Sequence, residues 1–413
     1  MKDSNFIVCN KSKRYSIIIV KNSDRFVAVR EMIFVLNIFN DFSLFLKWEN
    51  QIIGRINTDY SISLVECDFN PVVDLYFGTK KYINTDEFKH FLSERIFSKT
   101  RKDVHSLLAR LGAKEYDIFH IAKSTRAFNL ADRFWISYSE KEEYETTFIA
   151  IFRDLYHHKL NVVGDSIASP SGNNIKQYVF YEKEFGIAKQ QMHPYSTDAV
   201  NEVIAYRLGK LFGVGCCEAN MLSANTVFSR YEYDFNKEFL IHARNIANGE
   251  ILSLDNYSDI IDKYFPESRE NILKMILFDF IIQQDDRHMS NWAILMNPKG
   301  EKSLYKLYDN GRSLFYESDE EMVAEALANP IAYSNSFGLV GTYYDAVVDI
   351  SANNNVAKLI NLNIEESEIN NCFDGFEKYP DWKREACVSW IIWTVNTLKN
   401  FGWKRNNVFN QCK

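Results

Sequence analysis

The chain has 413 residues with 48 Lys and Arg against 55 Asp and Glu, a formal net charge of −7. That balance lacks the cationic field with which general nucleic-acid and anionic-membrane binders release counterions, so neither is expected as a partner. At 46% hydrophobic and 15% aromatic residues, with only 16 Gly and 7 Pro, the composition excludes a disordered protein and predicts about two or three compact domains.

Seven cysteines (Cys9, Cys67, Cys216, Cys217, Cys372, Cys387 and Cys412) are odd in number and lack C-x-x-C spacing. Neither a zinc site nor a disulfide framework is indicated. The start "MKDSNFIVCN" carries no basic-then-apolar signal pattern, and the sequence has no run of roughly 20 apolar residues that would span a bilayer. A cytoplasmic protein is therefore expected.

In chain order, "YSIIIV", "RFVAV" and "ISLVE" are β-branched or aromatic runs separated by Asn, Asp and Lys, which reads as a small sheet. Two helices follow. Phe88, Phe91, Leu92 and Ile96 keep helical spacing, as do Val104, Leu107, Leu108 and Leu111 before Gly112 supplies a stop. "DRFWISYS", "KQYVFYEK" and "FGIAKQQ" read as strands, and "GDSIASPSGNN" between the first two is a loop.

After "YSTD", where Ser196 or Thr197 can cap it, comes a helix with the stripe Val200, Val203, Ile204, Leu208 and Leu211. "EFLIHA" is a further strand. Beyond about residue 250 the pattern is mostly helical, and "ACVSWIIWTVNTL" is apolar around most of its circumference, which marks a buried helix. The expected fold class is therefore α+β, with two lobes. An accessory α/β subdomain spans 1–112, a strand-rich N-lobe 113–245 and a helical C-lobe 246–413, and a ligand would sit in the cleft between the lobes.

The chemistry concentrates in "QDDRHMSN" and "LYDNGRSLF". Asp286 and Asn291 are five positions apart, and Asp309 comes eighteen residues after Asn291. "NWAILM" and "SLYKLYD" form a hairpin around "NPKGE" that returns Asp309 to the other two. Three converging oxygen-bearing side chains suit Mg²⁺, a hard cation that takes a few protein oxygens and completes its shell with phosphates and water.

The spacing D-x-x-x-x-N followed by D-x-G matches the catalytic and metal loops of protein kinases. Asp286 would orient the attacking hydroxyl and accept its proton, while Asn291 and Asp309 hold the metal. Asp285 competes with Asp286 for that role, and the interval to Asn291 favours Asp286. His288 and Arg287 are read as structural, the arginine as partner of a nearby carboxylate. Upstream, Lys189 lies on a strand thirteen residues before Glu202 in the capped helix, so that a lysine held by a helix carboxylate would reach ATP phosphates. Helical projection places Glu202 opposite the apolar stripe, on what would be a solvated face. The loop "SIASPSGNN", with Gly172 permitting close backbone approach, and Lys176 after it would cover the phosphates.

These residues resemble the HipA-like serine/threonine kinases. The matching parts are "SPSGNNIK" as phosphate loop, "GIAKQQ" with Lys189, "NEVIAYRLG" with Glu202, "QDDRHMSN" as catalytic loop and "LYDNG" as metal loop. "LLARLGAKEYDIFHIAKSTRAFNLADRFWISYS" is similar to the region before the kinase core in short members, so the resemblance runs from about residue 100 onward. It implies a protein kinase fold using ATP and Mg²⁺ on a protein substrate, often as the toxin partnered by an antitoxin protein. It also implies self-inactivation by phosphorylation of the phosphate loop, with Ser169 the aligned serine and Ser171 and Ser166 its near rivals. Added phosphate charge of about −1.5 to −2 there would repel ATP.

The chain departs from the family at Arg287, where the best-known members have glycine. D-R-H-x-x-N is also similar to the phosphoinositide-kinase loop. A phosphoinositide or small-molecule kinase on the same scaffold is thus one alternative, and a catalytically silent nucleotide-binding partner protein is another.

Overall fold

The structure is a computed structural model that describes residues 43–66, 70–78, 80–129, 131–148, 175–182, 184–234, 237–247, 250, 252–334 and 341–411. The expected strands "YSIIIV" and "RFVAV" and the loop "GDSIASPSGNN", with Ser166, Ser169, Ser171 and Gly172, lie outside the described residues. Residues from Leu44 onward form one compact unit.

That unit begins with strands β1 (Leu44–Trp48), β2 (Gln51–Ile56) and β3 (Ile62–Leu64), helix α1 (Pro71–Phe77), β4 (Tyr82–Ile83), then helices α2 (Thr85–Ser93), α3 (Val104–Arg110) and α4 (Ile118–Ser124). Local chemistry places the helix starts. Asn70 accepts from the backbone N–H groups of Val72 and Val73 at 2.9 and 3.2 Å, while Asn84 and Glu87 form a reciprocal capping box ahead of α2. The strands pair antiparallel in the order β4-β3-β2-β1-β5, where β5 is Phe134–Ser137. This corrects one expectation: "DRFWISYS" belongs to the first sheet, hydrogen-bonded along β1, and not to the strands that follow it. Its fully buried FWIS sequence suits a strand covered on both faces.

The second sheet contains β6 (Lys176–Tyr181), β7 (Glu184–Gln190), β8 (Ala219–Ser223) and β9 (Thr226–Arg230), in the order β6-β7-β9-β8. Between β7 and β8 runs α5 (Asp198–Phe212), which packs on β8 and β9. Thr197 is its N-cap residue, but the expected side-chain cap does not form, because the Thr197 hydroxyl donates to the Tyr316 carbonyl and the Ser196 hydroxyl to Asp198. The helix is also buried on both faces, with Asn201 and Glu202 as enclosed as Ile204 and Leu208. The face that helical projection alone leaves to solvent at Glu202 is therefore covered, by the loop that follows Asp309.

Next come β10 (Phe239–His242), α6 (Ala243–Ile246), α7 (Tyr257–Tyr264), α8 (Arg269–Ile281), β11 (Ala293–Met296) and β12 (Lys302–Leu304). The β11–β12 hairpin forms with Met296 opposite Lys302, and β10 completes a three-stranded sheet along β11. The remainder is helical: α9 (Glu320–Ala328), α10 (Tyr343–Asn353), α11 (Val356–Leu359), α12 (Glu366–Asn371) and α13 (Asp381–Gln411). Helix α8 packs against α10, α11 and α13, where Trp390, Ile391 and Leu398 are fully enclosed. No described helix is long and apolar enough to cross a membrane. The fold is thus α+β, with a strand-rich lobe built on β6–β9 and a helical lobe around α8 and α13.

Gly186 in β7 lets the second sheet close. A Cβ there would stand 2.3 Å from the Ser229 carbonyl oxygen and 2.6 Å from the Phe228 ring. Gly186→Ala should therefore force β7 and β9 apart and lower stability by about 1–3 kcal/mol, read as a lower urea midpoint at unchanged m-value.

Candidate functional site

In β6 and β7, Lys176 stands directly opposite Lys189. Directly paired residues project their side chains to the same face of a sheet, and both ammonium groups meet one carboxylate. Lys189 Nζ lies 3.0 Å from Asp309 Oδ1, and Lys176 Nζ lies 3.2 Å from Asp309 Oδ2. Lys189 also reaches Glu202 Oε2 on α5 at 3.3 Å. The same Glu202 oxygen accepts the backbone N–H of Gly311 at 3.0 Å. This approach requires glycine, since a Cβ at Gly311 would sit 2.6 Å from the Asp198 carbonyl oxygen.

Burial opposes the charge on Lys189, yet Asp309 and Glu202 outweigh it and raise its pKa. Burial likewise works against an ionised Asp309, but Lys176 and Lys189 hold its carboxyl well below the usual carboxylate range. Asp309 has φ +58, in the left-handed region that aspartate tolerates better than most residues.

The catalytic-loop segment follows α8. Asn291 Nδ2 donates to the Asp286 carbonyl at 2.7 Å and lies 3.3 Å from Asp286 Oδ2, which turns the amide oxygen of Asn291 away from Asp286. Arg312 Nη1 also reaches Asp286 Oδ2, at 3.3 Å. Burial raises the Asp286 pKa, with Arg312 acting against it. Asp286 lines the cleft described below, whereas Asp285 forms an ion pair with Arg312 Nε at 3.4 Å. Burial pushes the Asp285 carboxyl up to about 6 despite that arginine. His288 shapes the loop, its Nδ1 accepting from Ser290 N at 3.2 Å, and its Nε2 stands 3.9 Å from Asp286 Oδ1.

Arg287 is buried behind these groups, as the sequence suggested. Its Nε is 3.1 Å from Asp279 Oδ2 on α8, and its Nη1 donates to the carbonyls of Asn291 and Tyr308 at 2.9 and 2.7 Å. Nη2 adds a bond to the Asn310 side chain. One guanidinium therefore ties α8, the Asp286–Asn291 loop and the Tyr308–Asn310 segment together. Gln284, fully buried, joins the same two loops by donating to the Asp309 carbonyl and accepting from Asp286 N, each at 3.2 Å. Beyond the metal loop, Leu314 and Phe315 both have positive φ, +52 and +56. Their carbonyls accept from Cys387 Sγ at 3.5 Å and Lys383 Nζ at 2.9 Å, both on α13.

These groups border a cleft of about 600 Å³. One wall is apolar and aromatic, with Ile187, Val227, Leu240, Tyr305 and Tyr308, and Tyr308 is held by His242 Nδ1 at 2.9 Å. The polar end contains Lys176, Lys189, Asp286, Asn291 and Asp309. Two protein oxygens, on Asn291 and Asp309, fit a hard divalent cation only if other ligands complete its shell. No group of three or more His, Cys, Asp or Glu among the described residues would hold a metal unaided. That donor set suits a cation arriving with phosphates.

Sequence reasoning passed over Asp279, Gln284 and Arg312 as parts of this site. Asp279 had a signal, since it is a lone carboxylate in the apolar run "ILFDFII". Arg312 had none, because its place depends on the turn after Gly311.

No family model matches the chain, and no curated protein matches it. Among solved structures it is similar to the Helicobacter pylori proinflammatory kinase CtkA, at 18% identity and a TM-score of 0.47, over 57% of this chain and 91% of that one. It is also similar to a chain of the Shewanella oneidensis MR-1 toxin–antitoxin complex of HipA, HipB and operator DNA, at 12% identity and a TM-score of 0.47, over 86% and 99% of the two chains.

Removing one member of a buried ion pair strands the other charge. Asp279→Ala should lower stability by about 3–5 kcal/mol, measured by urea unfolding. Replacing Asp279 and Arg287 together by apolar residues should recover much of that loss.

Proposed function

We propose that the protein is an ATP- and Mg²⁺-dependent serine/threonine protein kinase of HipA type. The observation that carries this reading is the joint geometry of Lys189, Glu202, Asp309, Asn291 and Asp286 around one cleft. Phosphoryl transfer needs positioned cations on the phosphates, a metal-holding carboxylate and amide, and an acceptor for the hydroxyl proton. Each of these roles has a residue here.

The apolar wall accepts the adenine, and Lys189 and Lys176 meet the phosphates. Asn291 and Asp309 would hold Mg²⁺, which neutralises charge on the phosphates when bound. Arg312 and Asn291 both engage Oδ2 of Asp286, so Oδ1, with the His288 ring 3.9 Å away, is the oxygen better placed to receive the proton of the substrate hydroxyl. Arg287 has its donors on Asp279, Asn291, Tyr308 and Asn310. Its presence in the loop therefore does not favour a phosphoinositide substrate. The protein substrate and an antitoxin partner are expectations of the resemblance alone.

Intact mass before and after Mg-ATP tests the chemistry, with transfer to a generic protein substrate followed in parallel. Wild type should gain phosphate or transfer it, and Asp286→Asn should lose about 10²–10⁴-fold in rate, the usual worth of a general base, while still binding Mg-ATP. Asp309→Asn should instead weaken Mg-ATP binding. Equal nucleotide affinity in all three proteins would remove the metal assignment, and no transfer by the wild type to itself or to substrate would remove the kinase assignment. For self-inactivation, Ser169→Ala should remain active longer in ATP; matching time courses for wild type and variant would exclude it.

A further inference from the structure

The loop between α2 and α3, which belongs to the region ahead of the second sheet, reaches the two lysine strands directly. Arg101 is buried, with a side chain 0% exposed. Its Nε and Nη2 hold the Asp103 carboxylate at 2.6 and 3.1 Å, and Nη2 also donates to the backbone carbonyl of Lys176 at 2.7 Å. The neighbouring Lys102 ammonium donates to the carbonyl of Met192, just past the end of β7. Both contacts fall at the end of the β6–β7 hairpin where Lys176 and Lys189 pair. Ser93, Glu94 and Ser98 of the same region line the cleft.

A lysine side chain has four rotatable carbons, so the position of its ammonium depends on a fixed backbone. For Lys176, Arg101 adds a side-chain anchor at the carbonyl to the strand pairing with β7. A buried, always-charged guanidinium held on the Asp103 carboxylate is a rigid anchor, since Asp103 sets its plane while Nη2 reaches the carbonyl. We propose that Arg101 is a positioning residue for phosphate binding, which makes the region before the second sheet a working part of the nucleotide site. Arg101 stands behind the cleft rather than among its lining residues. It acts through Lys176, whose ammonium stands at the Asp309 carboxylate. The inference rests on the kinase reading of the cleft.

Calorimetric titration of the full chain with Mg-ATP and with adenosine tests it. Loss of a charge-assisted hydrogen bond corresponds to about a tenfold change in affinity. Arg101→Gln should weaken Mg-ATP by about that factor and leave adenosine unchanged, a split that general loosening of the fold would not give. Asp103→Asn, which releases the guanidinium without removing it, should shift Mg-ATP in the same direction and serves if Arg101→Gln does not fold. In a Lys176→Gln background, Arg101→Gln should add less than twofold. Equal loss for ATP and adenosine, no loss for ATP, or full additivity with Lys176→Gln would overturn the assignment. Wild-type protein that binds neither ligand would instead overturn the kinase reading, and this inference with it; wild type that prefers ATP beside a variant keeping that preference overturns Arg101 alone.

Discussion

The Arg287 guanidinium is the constraint on which the site depends. It is sealed from water against Asp279, and it spends its remaining donors on two backbone carbonyls and the Asn310 side chain. A charge this deeply enclosed can exist only with its full set of partners. Its requirement therefore dictates where the ends of α8, the catalytic loop and the metal loop lie relative to each other. Arg287 shares the task of holding them with Gln284, which bonds the Asp309 carbonyl and the Asp286 N–H, and with the Asn291 amide on the Asp286 carbonyl.

A second constraint meets the first at Asp309. The two lysines of the β6–β7 hairpin are like charges side by side, an arrangement that costs energy in a sheet unless something negative is shared. Asp309 supplies that charge, and Glu202 steadies Lys189 from α5. The lobes are thereby joined by ionic contacts whose balance an incoming polyanion would alter, because phosphates compete for the same ammonium groups. A polar seam of this kind opens and closes more readily than an apolar one, where packing must be broken to move.

Much of this was legible in the sequence because the relevant signals are local. The interval from Asp286 to Asn291, the hairpin returning Asp309 and the strand carrying Lys189 depend on turns and alternation within short segments. Glu202 is legible as the partner of Lys189 from spacing, while helical projection alone leaves it on a solvated face because it finds only the dominant apolar stripe. It has no means of showing that the loop after Asp309 folds over the other side of α5. The strand Phe134–Ser137 was assigned to the wrong sheet for a similar reason: β-branched and aromatic character marks a strand but not its partner. The roles of Arg101 and Arg312 are invisible in the sequence because the Lys176 carbonyl that Arg101 anchors lies 75 residues away and the carboxylates of Arg312 lie on another turn. Their roles exist only once the chain is folded.

The two left-handed residues Leu314 and Phe315 lead to one further consequence. Such conformations cost apolar side chains roughly 1–3 kcal/mol each, and here they persist under the donors of Lys383 and Cys387 on α13. Burial lowers the pKa of Lys383, so its ammonium is retained at a cost. The start of α13 thus holds these two residues in their left-handed conformations, where the chain leaves Asp309 and Gly311. Replacing Lys383 and Cys387, at the start of that helix, would remove both donors and relax the turn after Asp309 from the far side, without touching any group in the cleft.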